Sequence, residues 1–214
     1  MEDIAQGLSF LGLTSAQGQW RILVIDTAED MNVNAANSLL KRLEEPTPQT
    51  VIFLISHNKG KLLPTIRSRC RTLTVAPADD AQMEAFADSF KVALEDKPFI
   101  VRAANGSFGL AKALIDCDAP ALYAEMENLL YPSRFNDADM LSFCHRMLAD
   151  ETKEWVLEAL IGYYFTEHTP QARQPQLWLD LWEDFQKNQQ DIVTLNLEKK
   201  DVLMDFFCRL GRLQ

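Results

Sequence analysis

Trp20-Arg21-Ile22-Leu23-Val24-Ile25-Asp26 is the stretch on which the fold turns. An apolar, β-branched run closed by an acid reads as a buried parallel strand that carries a carboxylate to the edge of a sheet. After it, Asn34 to Glu45 places Ala36, Leu39, Leu40 and Leu43 on one helical face. Asn32 or Asn34 suits the cap, and Pro46 and Pro48 end the helix. Val51 to Ile55 is a second continuous apolar run and predicts a second buried strand. Pro64 opens a short helix over Thr65 to Arg69, and Arg71 to Val75 predicts a third strand. This order is a βαβ arrangement with right-handed crossovers. Three strands and one main helix leave a sheet face uncovered, so the block reads as the C-terminal piece of a larger α/β domain. Before it, Glu2 to Leu13 carries Ile4, Leu8 and Leu11 at helical spacing, and Thr14 to Gln19 is turn-like.

Beyond Pro77 the strand signals stop. Asp79 to Leu94 has helical spacing through Met83, Phe86, Ala87 and Phe90. Phe99 to Ala104 and Leu110 to Ile115 flank the turn Asn105-Gly106-Ser107, which predicts a compact helical module. A further boundary is expected near Cys117 to Pro120. The remaining stripes are Leu122, Met126, Leu129, Leu130; Leu141, Cys144, Leu148; Val156, Leu157, Leu160, Ile161, Tyr164; Trp178, Leu181, Trp182, Phe185; and Val202, Leu203, Phe206, Phe207, Leu210. Each follows the i, i+3, i+4, i+7 rule of a bundle core. Pro170 and Pro175 bracket an exposed linker.

Composition narrows the function. The chain has 214 residues, 47% hydrophobic and 24% charged, the balance of an ordinary globular protein. Its net charge of -10 argues against autonomous nucleic-acid binding, which needs concentrated Lys and Arg to displace counterions. An acidic chain can still serve a nucleic-acid machine whose other subunits supply the positive surface. Cys70, Cys117, Cys144 and Cys208 are scattered, without a C-x-x-C pair, and read as reduced thiols of a cytoplasmic protein. His57, His145 and His168 are equally dispersed, so no metal site is expected. No apolar run has the length of a membrane span.

A strand ending in Asp is where nucleotide-hydrolysing α/β proteins hold Mg²⁺ beside phosphates. No G-x-x-x-x-G-K-[ST] loop accompanies it in this chain. Three segments carry the reading further. They are Ile25-Asp26-Thr27-Ala28-Glu29-Asp30-Met31-Asn32 with Asn34-Ala35-Ala36-Asn37-Ser38-Leu39-Leu40-Lys41-Arg42-Leu43-Glu44-Glu45-Pro46; Phe53-Leu54-Ile55-Ser56-His57-Asn58; and Leu62-Leu63-Pro64-Thr65-Ile66-Arg67-Ser68-Arg69-Cys70. In order and wording they resemble the bacterial clamp-loader subunits of the AAA+ class, and most closely the delta-prime type. The resemblance is firm from Trp20 to Val75 and continues by helical layout alone.

That resemblance implies the following. The fold is α/β followed by all-α: a partial AAA+ parallel sheet (1–76), a small helical lid (77–118) and a C-terminal helical collar (119–214). Hydrolysing members carry Glu after the strand's Asp; here Thr27 follows Asp26, and a hydroxyl cannot serve as a carboxylate base near neutral pH. Their second sensor is an Arg in Gly-Ser-x-Arg; here the turn is Gly106-Ser107-Phe108-Gly109. Asp26 and Thr27 are thus expected to be a relic of a Mg-nucleotide strand, and Ser56, His57 and Asn58 occupy the first-sensor position. Arg69, flanked by Ser68 and Cys70, is implied to be an arginine finger for a neighbouring subunit's ATP-Mg, with no cofactor held by this chain alone. Arg67 and Arg71 read as packing or surface residues. The expected partners are gamma/tau-type ATPase and delta-type subunits, and indirectly the sliding clamp and primer-template DNA, with no membrane. The alternative reading is a replication ATPase whose full-length form hydrolyses ATP through Asp26. The family's phosphate-loop portion and zinc cysteines are expected upstream of Met1, which is an internal start, a misplaced gene start or a trimmed form.

Overall fold

The computed structural model describes residues 7–10, 20–131, 135–195 and 198–213. Thr14 to Gln19 and most of the expected first helix lie outside the described residues; residues 7–10 are helical. The chain divides into two compact units, Met1–Val75 and Ala76–Gln214.

In the first unit, β1 (Arg21–Ile25) and β2 (Thr50–Leu54) pair in parallel, with Arg21 opposite Thr50 and Ile25 opposite Leu54. Between them runs α1 (Val33–Glu44). Asn32 caps it, its Oδ1 accepting from the Ala35 amide at 2.9 Å, which satisfies one of the amide donors orphaned at a helix start. The short α2 (Pro64–Arg67) follows β2, with Pro64 in its first turn. Leu8, Ile25, Ala28, Ala36, Leu39 and Ile66 form the core, with Leu23, Ile52, Leu54 and Cys70 packed against it. Burying the Leu39 and Ile66 side chains completely contributes about 1.5–3 kcal/mol each.

Two expectations are corrected here. The strands read as buried are buried on one face alone, the other being left uncovered as expected: Ile22, Val24 and Phe53 are each more than half exposed. Alternation along β1 gives the reason, because α1 and α2 cover only the face bearing Leu23 and Ile25. The third strand, Arg71 to Val75, does not form. Leu73 and Val75 are 86% and 85% exposed, and among the described residues the sheet has two strands. Its alternating sequence suits a strand, but among the described residues the segment pairs with neither outer edge of the sheet, so its propensity goes unfulfilled.

The second unit is helical: α3 (Asp80–Ser89), α4 (Lys97–Ala104), α5 (Phe108–Asp116), α6 (Ala119–Leu130), α7 (Asp137–Met147), α8 (Glu151–His168), α9 (Pro175–Leu195) and α10 (Lys199–Gly211). Asp79 and Gln82 close a capping box at the start of α3. One core runs from Met83 through Leu114, Met126, Phe143 and Leu160 to Leu210, so α5 and α6 pack into the same interior on either side of Cys117–Asp118. The α7 stripe differs from the expected one. Met140, Phe143, Cys144 and Met147 are buried, while Leu141 and Leu148 are half-buried. The buried face of the helix is thus centred on Phe143, whose ring is fully enclosed in the core.

The turn before α5 demands glycine. Gly106 has φ +75°, and a Cβ there would lie 2.6 Å from Pro77 Cβ and 2.8 Å from the Ala78 carbonyl oxygen. The Ala78 amide also donates to the Gly106 carbonyl at 3.0 Å, fixing the two segments together. Gly106→Ala is expected to destabilise the helical unit by about 1–3 kcal/mol. A urea titration followed by tryptophan fluorescence reads this, since three of the four tryptophans lie in that unit; an unchanged midpoint would contradict the steric argument.

Candidate functional site

The sheet ends in a paired exit. The Ile55 amide donates to the Ile25 carbonyl at 2.9 Å, and the Ala28 amide returns to the Ile55 carbonyl at 2.8 Å. The residues leaving β1 and β2 are therefore held side by side. Asp26 is exposed and Thr27 half-buried. The Thr27 hydroxyl donates to the Asp30 carboxylate across a one-turn 3₁₀ helix, Ala28–Asp30. The side chain standing where the general base was sought is thus engaged in shaping a turn.

Glu29 is the residue that organises this end. Its Oε1 accepts from the backbone amides of His57 at 2.9 Å and Asn58 at 3.1 Å. Burial pushes its pKa up, but hydrogen bonds from its own backbone and the His57 and Asn58 amides, helped by the Ser56 hydroxyl dipole, outweigh that and hold it at about 2. The Ser56 hydroxyl acts here as a dipole beside the charge; its geometry falls short of a hydrogen bond, and it and Glu29 Oε2 are both closed off from solvent. Ser56, His57 and Asn58 are therefore brought next to the β1 exit, and the link is Glu29, which the sequence reading passed over. The signal was available: two successive backbone amides at a strand's end need an acceptor, and an acid three residues after Asp26 can supply one.

Arg69 belongs to a second cluster, at the C-terminal end of α1. Its Nη1 donates to the Thr65 carbonyl at 3.0 Å and lies 3.4 Å from the Ser68 hydroxyl. Nη2 meets Glu44 Oε1 at 2.7 Å, with the two side chains 37% and 50% exposed. Ser68 is exposed and Cys70 half-buried against the core, where burial pushes its thiol pKa up and away from thiolate chemistry. Arg67 and Arg71 are exposed.

In the helical unit, the Ser107 hydroxyl accepts from the Leu110 amide at 3.2 Å and caps α5. A Cβ on Gly109 would touch the Trp155 indole at 3.5 Å. The nearby cations are engaged: Arg102 pairs with Glu167 at 3.1 Å, and Lys112 pairs with Asp116. A cavity of about 620 Å³ in this unit is lined by Glu127, Tyr164, His168, Arg173 and Trp178, among others, and by none of the expected site residues. Among the described residues no three His, Cys, Asp or Glu side chains gather as a metal site, and no helix is long and apolar enough to cross a membrane.

Comparison with known proteins agrees with the sequence reading. Residues 1–79 match the family model described as "DNA polymerase III, delta subunit". The chain is 47% identical over 70 residues to the DNA polymerase III subunit delta' of Pseudomonas aeruginosa, covering 33% of this chain and 21% of that protein. Against the Escherichia coli delta' subunit it is 34% identical over 103 residues, 47% of this chain and 30% of that one. The E. coli tau subunit is 32% identical over 123 residues, 54% of this chain and 19% of that protein. The chain thus spans a fifth to a third of these relatives. A DNA polymerase III gamma subunit-related protein of Thermotoga maritima shares the fold, with a TM-score of 0.53 and 22% identity over 99% of this chain and 79% of that one. The resemblance to delta-prime clamp-loader subunits is borne out, and the matching fold extends beyond the segments that carry it.

Glu29 gives a pH signature. Its pKa is depressed from 4.5 to about 2, so its contribution to order is complete above 4.5 and lost as pH falls towards 2. Glu29→Gln is expected to speed hydrogen exchange at the His57 and Asn58 amides at pH 7, approaching the wild-type rates, corrected for intrinsic exchange, measured near pH 2. Unaltered protection at both amides would rule out the anchoring role.

Proposed function

We propose that this chain is a non-hydrolysing clamp-loader component of the delta-prime type, and that it offers Arg69 to the ATP site of a neighbouring gamma/tau-type subunit. The observation that carries this is the state of Arg69. Its guanidinium is exposed at the rim of the α/β unit, while its Nη1 is steadied from behind by the Thr65 carbonyl. A planar, permanently charged fork held in this way suits phosphate oxygens on another molecule, where negative charge builds as the γ-phosphoryl group leaves. The delta' relatives named above point to the same assembly.

The other expected positions fit a chain that does not turn over nucleotide itself. A base at position 27 would need a free carboxylate, and Thr27 instead donates to Asp30. A second sensor at position 109 would need a cation, and glycine stands there against Trp155. Asp26 is then a relic at the strand tip, with Ser56, His57 and Asn58 a structural remnant of the first sensor. The chain would act as a rigid member of a ring, with delta-type subunits opening the sliding clamp for primer-template DNA. We place it in the cytoplasm on the same reading.

Arg69→Ala is expected to lower DNA- and clamp-stimulated ATP hydrolysis at the site it serves by about 10²-fold, the usual cost of losing one transition-state donor. Assembly should be retained, because the side chain is exposed, and Arg69→Lys should not restore the rate. Stimulated turnover by the reconstituted loader measures this, and unchanged turnover would end the finger role. The isolated chain should hydrolyse no ATP; a turnover abolished by Asp26→Ala would favour the ATPase reading instead.

A further inference from the structure

Glu44 holds the guanidinium that the proposed function needs free. Its carboxylate oxygen lies 2.7 Å from Arg69 Nη2, on the donor pair that the Thr65 carbonyl and Ser68 hydroxyl leave unused. We propose that Glu44 is an intramolecular placeholder, occupying the phosphate-seeking edge of Arg69 until the γ-phosphate of a neighbour's ATP displaces it. This rests on the finger reading of Arg69 and adds its regulation.

The chemistry of the exchange follows from the groups involved. A carboxylate and a phosphate oxygen are alternative acceptors for the Nη2 donors, and both bind guanidinium in its plane. With Glu44 in place, the pair presents no net positive charge, and the carboxylate repels a polyphosphate approaching the same edge. Phosphate offers more charge and more acceptor oxygens than carboxylate, so it wins the competition once positioned. The placeholder is weak by construction, because both side chains are more than a third exposed. Exposed pairs of this kind bias an equilibrium by roughly 1.5- to 5-fold.

The anchoring of the two partners differs in a way that favours release. Arg69 retains the Thr65 carbonyl and Ser68 hydroxyl when Glu44 leaves, so it stays aimed. Glu44 is the last residue of α1, followed by Glu45 and Pro46, so its side chain can swing away at the helix end without disturbing buried Leu39. An acceptor required for aiming would instead be expected in the buried part of the cluster.

The test is an ATP titration of DNA- and clamp-stimulated hydrolysis by the reconstituted loader, with Glu44→Gln, Glu44→Asp, Arg69→Ala and the Glu44→Gln/Arg69→Ala double variant. Glu44→Gln is isosteric and uncharged; Glu44→Asp keeps the charge but is one methylene too short to hold the bond. Either should lower half-saturating ATP by about 2- to 5-fold, with the difference from wild type shrinking as salt is raised. On the Arg69→Ala background, Glu44→Gln should change nothing. A raised half-saturation or slower turnover in both single variants makes Glu44 a positioning residue and overturns the placeholder, as does no change in either. In those cases a slow Arg69→Ala still leaves the finger standing. If Arg69→Ala is as fast as wild type, the finger and the placeholder fall together.

Discussion

A half-buried carboxylate at the mouth of the parallel β1–β2 pair is the constraint on which the α/β unit's functional end depends. β1 and β2 run parallel, so their C-terminal exits open on the same side, and both exits leave backbone donors without a strand to receive them. Glu29 takes two of those donors from β2's exit while sitting in the turn that follows β1. One side chain thereby closes both strand ends against each other. Its low pKa is the electrostatic record of that work: the charge is stabilised by aligned dipoles more than it is penalised by burial. Everything said about Asp26, Thr27 and Ser56 to Asn58 presupposes that this closure holds them in register.

Much of this was legible in the residues, because the dominant signals were local. Prolines, caps and helical stripes placed α1, α2 and the helices of the second unit, and Asn32 was among the two caps considered. What could not be read locally depended on what lies across space. Arg71 to Val75 has strand propensity, yet propensity does not say whether a segment will dock on an edge, and Leu73 and Val75 stand in solvent. Continuous apolar runs suggested buried strands, but the runs alone do not reveal that Ile22, Val24 and Phe53 lie on the face left uncovered. On α7, Leu141, Cys144 and Leu148 suggested one stripe, and the buried face runs instead through Met140, Phe143, Cys144 and Met147. Glu29 and Glu44 were passed over for the same reason. Acids in a solvated segment carry no periodic signature, and their partners lie about 28 and 25 residues further along the chain.

The uncovered sheet face has a bearing on how the unit is held together. Ile22, Val24 and Phe53 form an apolar patch whose burial would add to the stability supplied by Leu39, Ile66 and their neighbours. With two strands and a small core, this unit has much less buried apolar surface to draw on than the helical unit, whose core runs continuously from Met83 to Leu210. Local hydrogen bonds that fix geometry therefore carry more weight in the first unit than in the second. Single polar contacts, Glu29 on the β2 exit and Asn32 on the α1 start, are of this kind.

The three positions singled out by the family resemblance are treated differently by the protein's own packing, and the difference follows from where each would act. A group acting on nucleotide held by its own chain can be absorbed into that chain's structure once the activity is gone. Thr27 staples a turn, and Gly109 lies beside the edge of the Trp155 indole. A group acting on a neighbour's nucleotide cannot be absorbed without losing its function, because it must remain at the surface and exchange partners cheaply. Arg69 meets that requirement: it is exposed and steadied by the Thr65 carbonyl and Ser68 hydroxyl, and its ion pair is with a still more exposed Glu44. A buried pair at the same place would resist exchange by several kcal/mol, since opening it strands a charge away from water. A solvated one costs about 1 kcal/mol or less to open, well within what a correctly placed phosphate supplies.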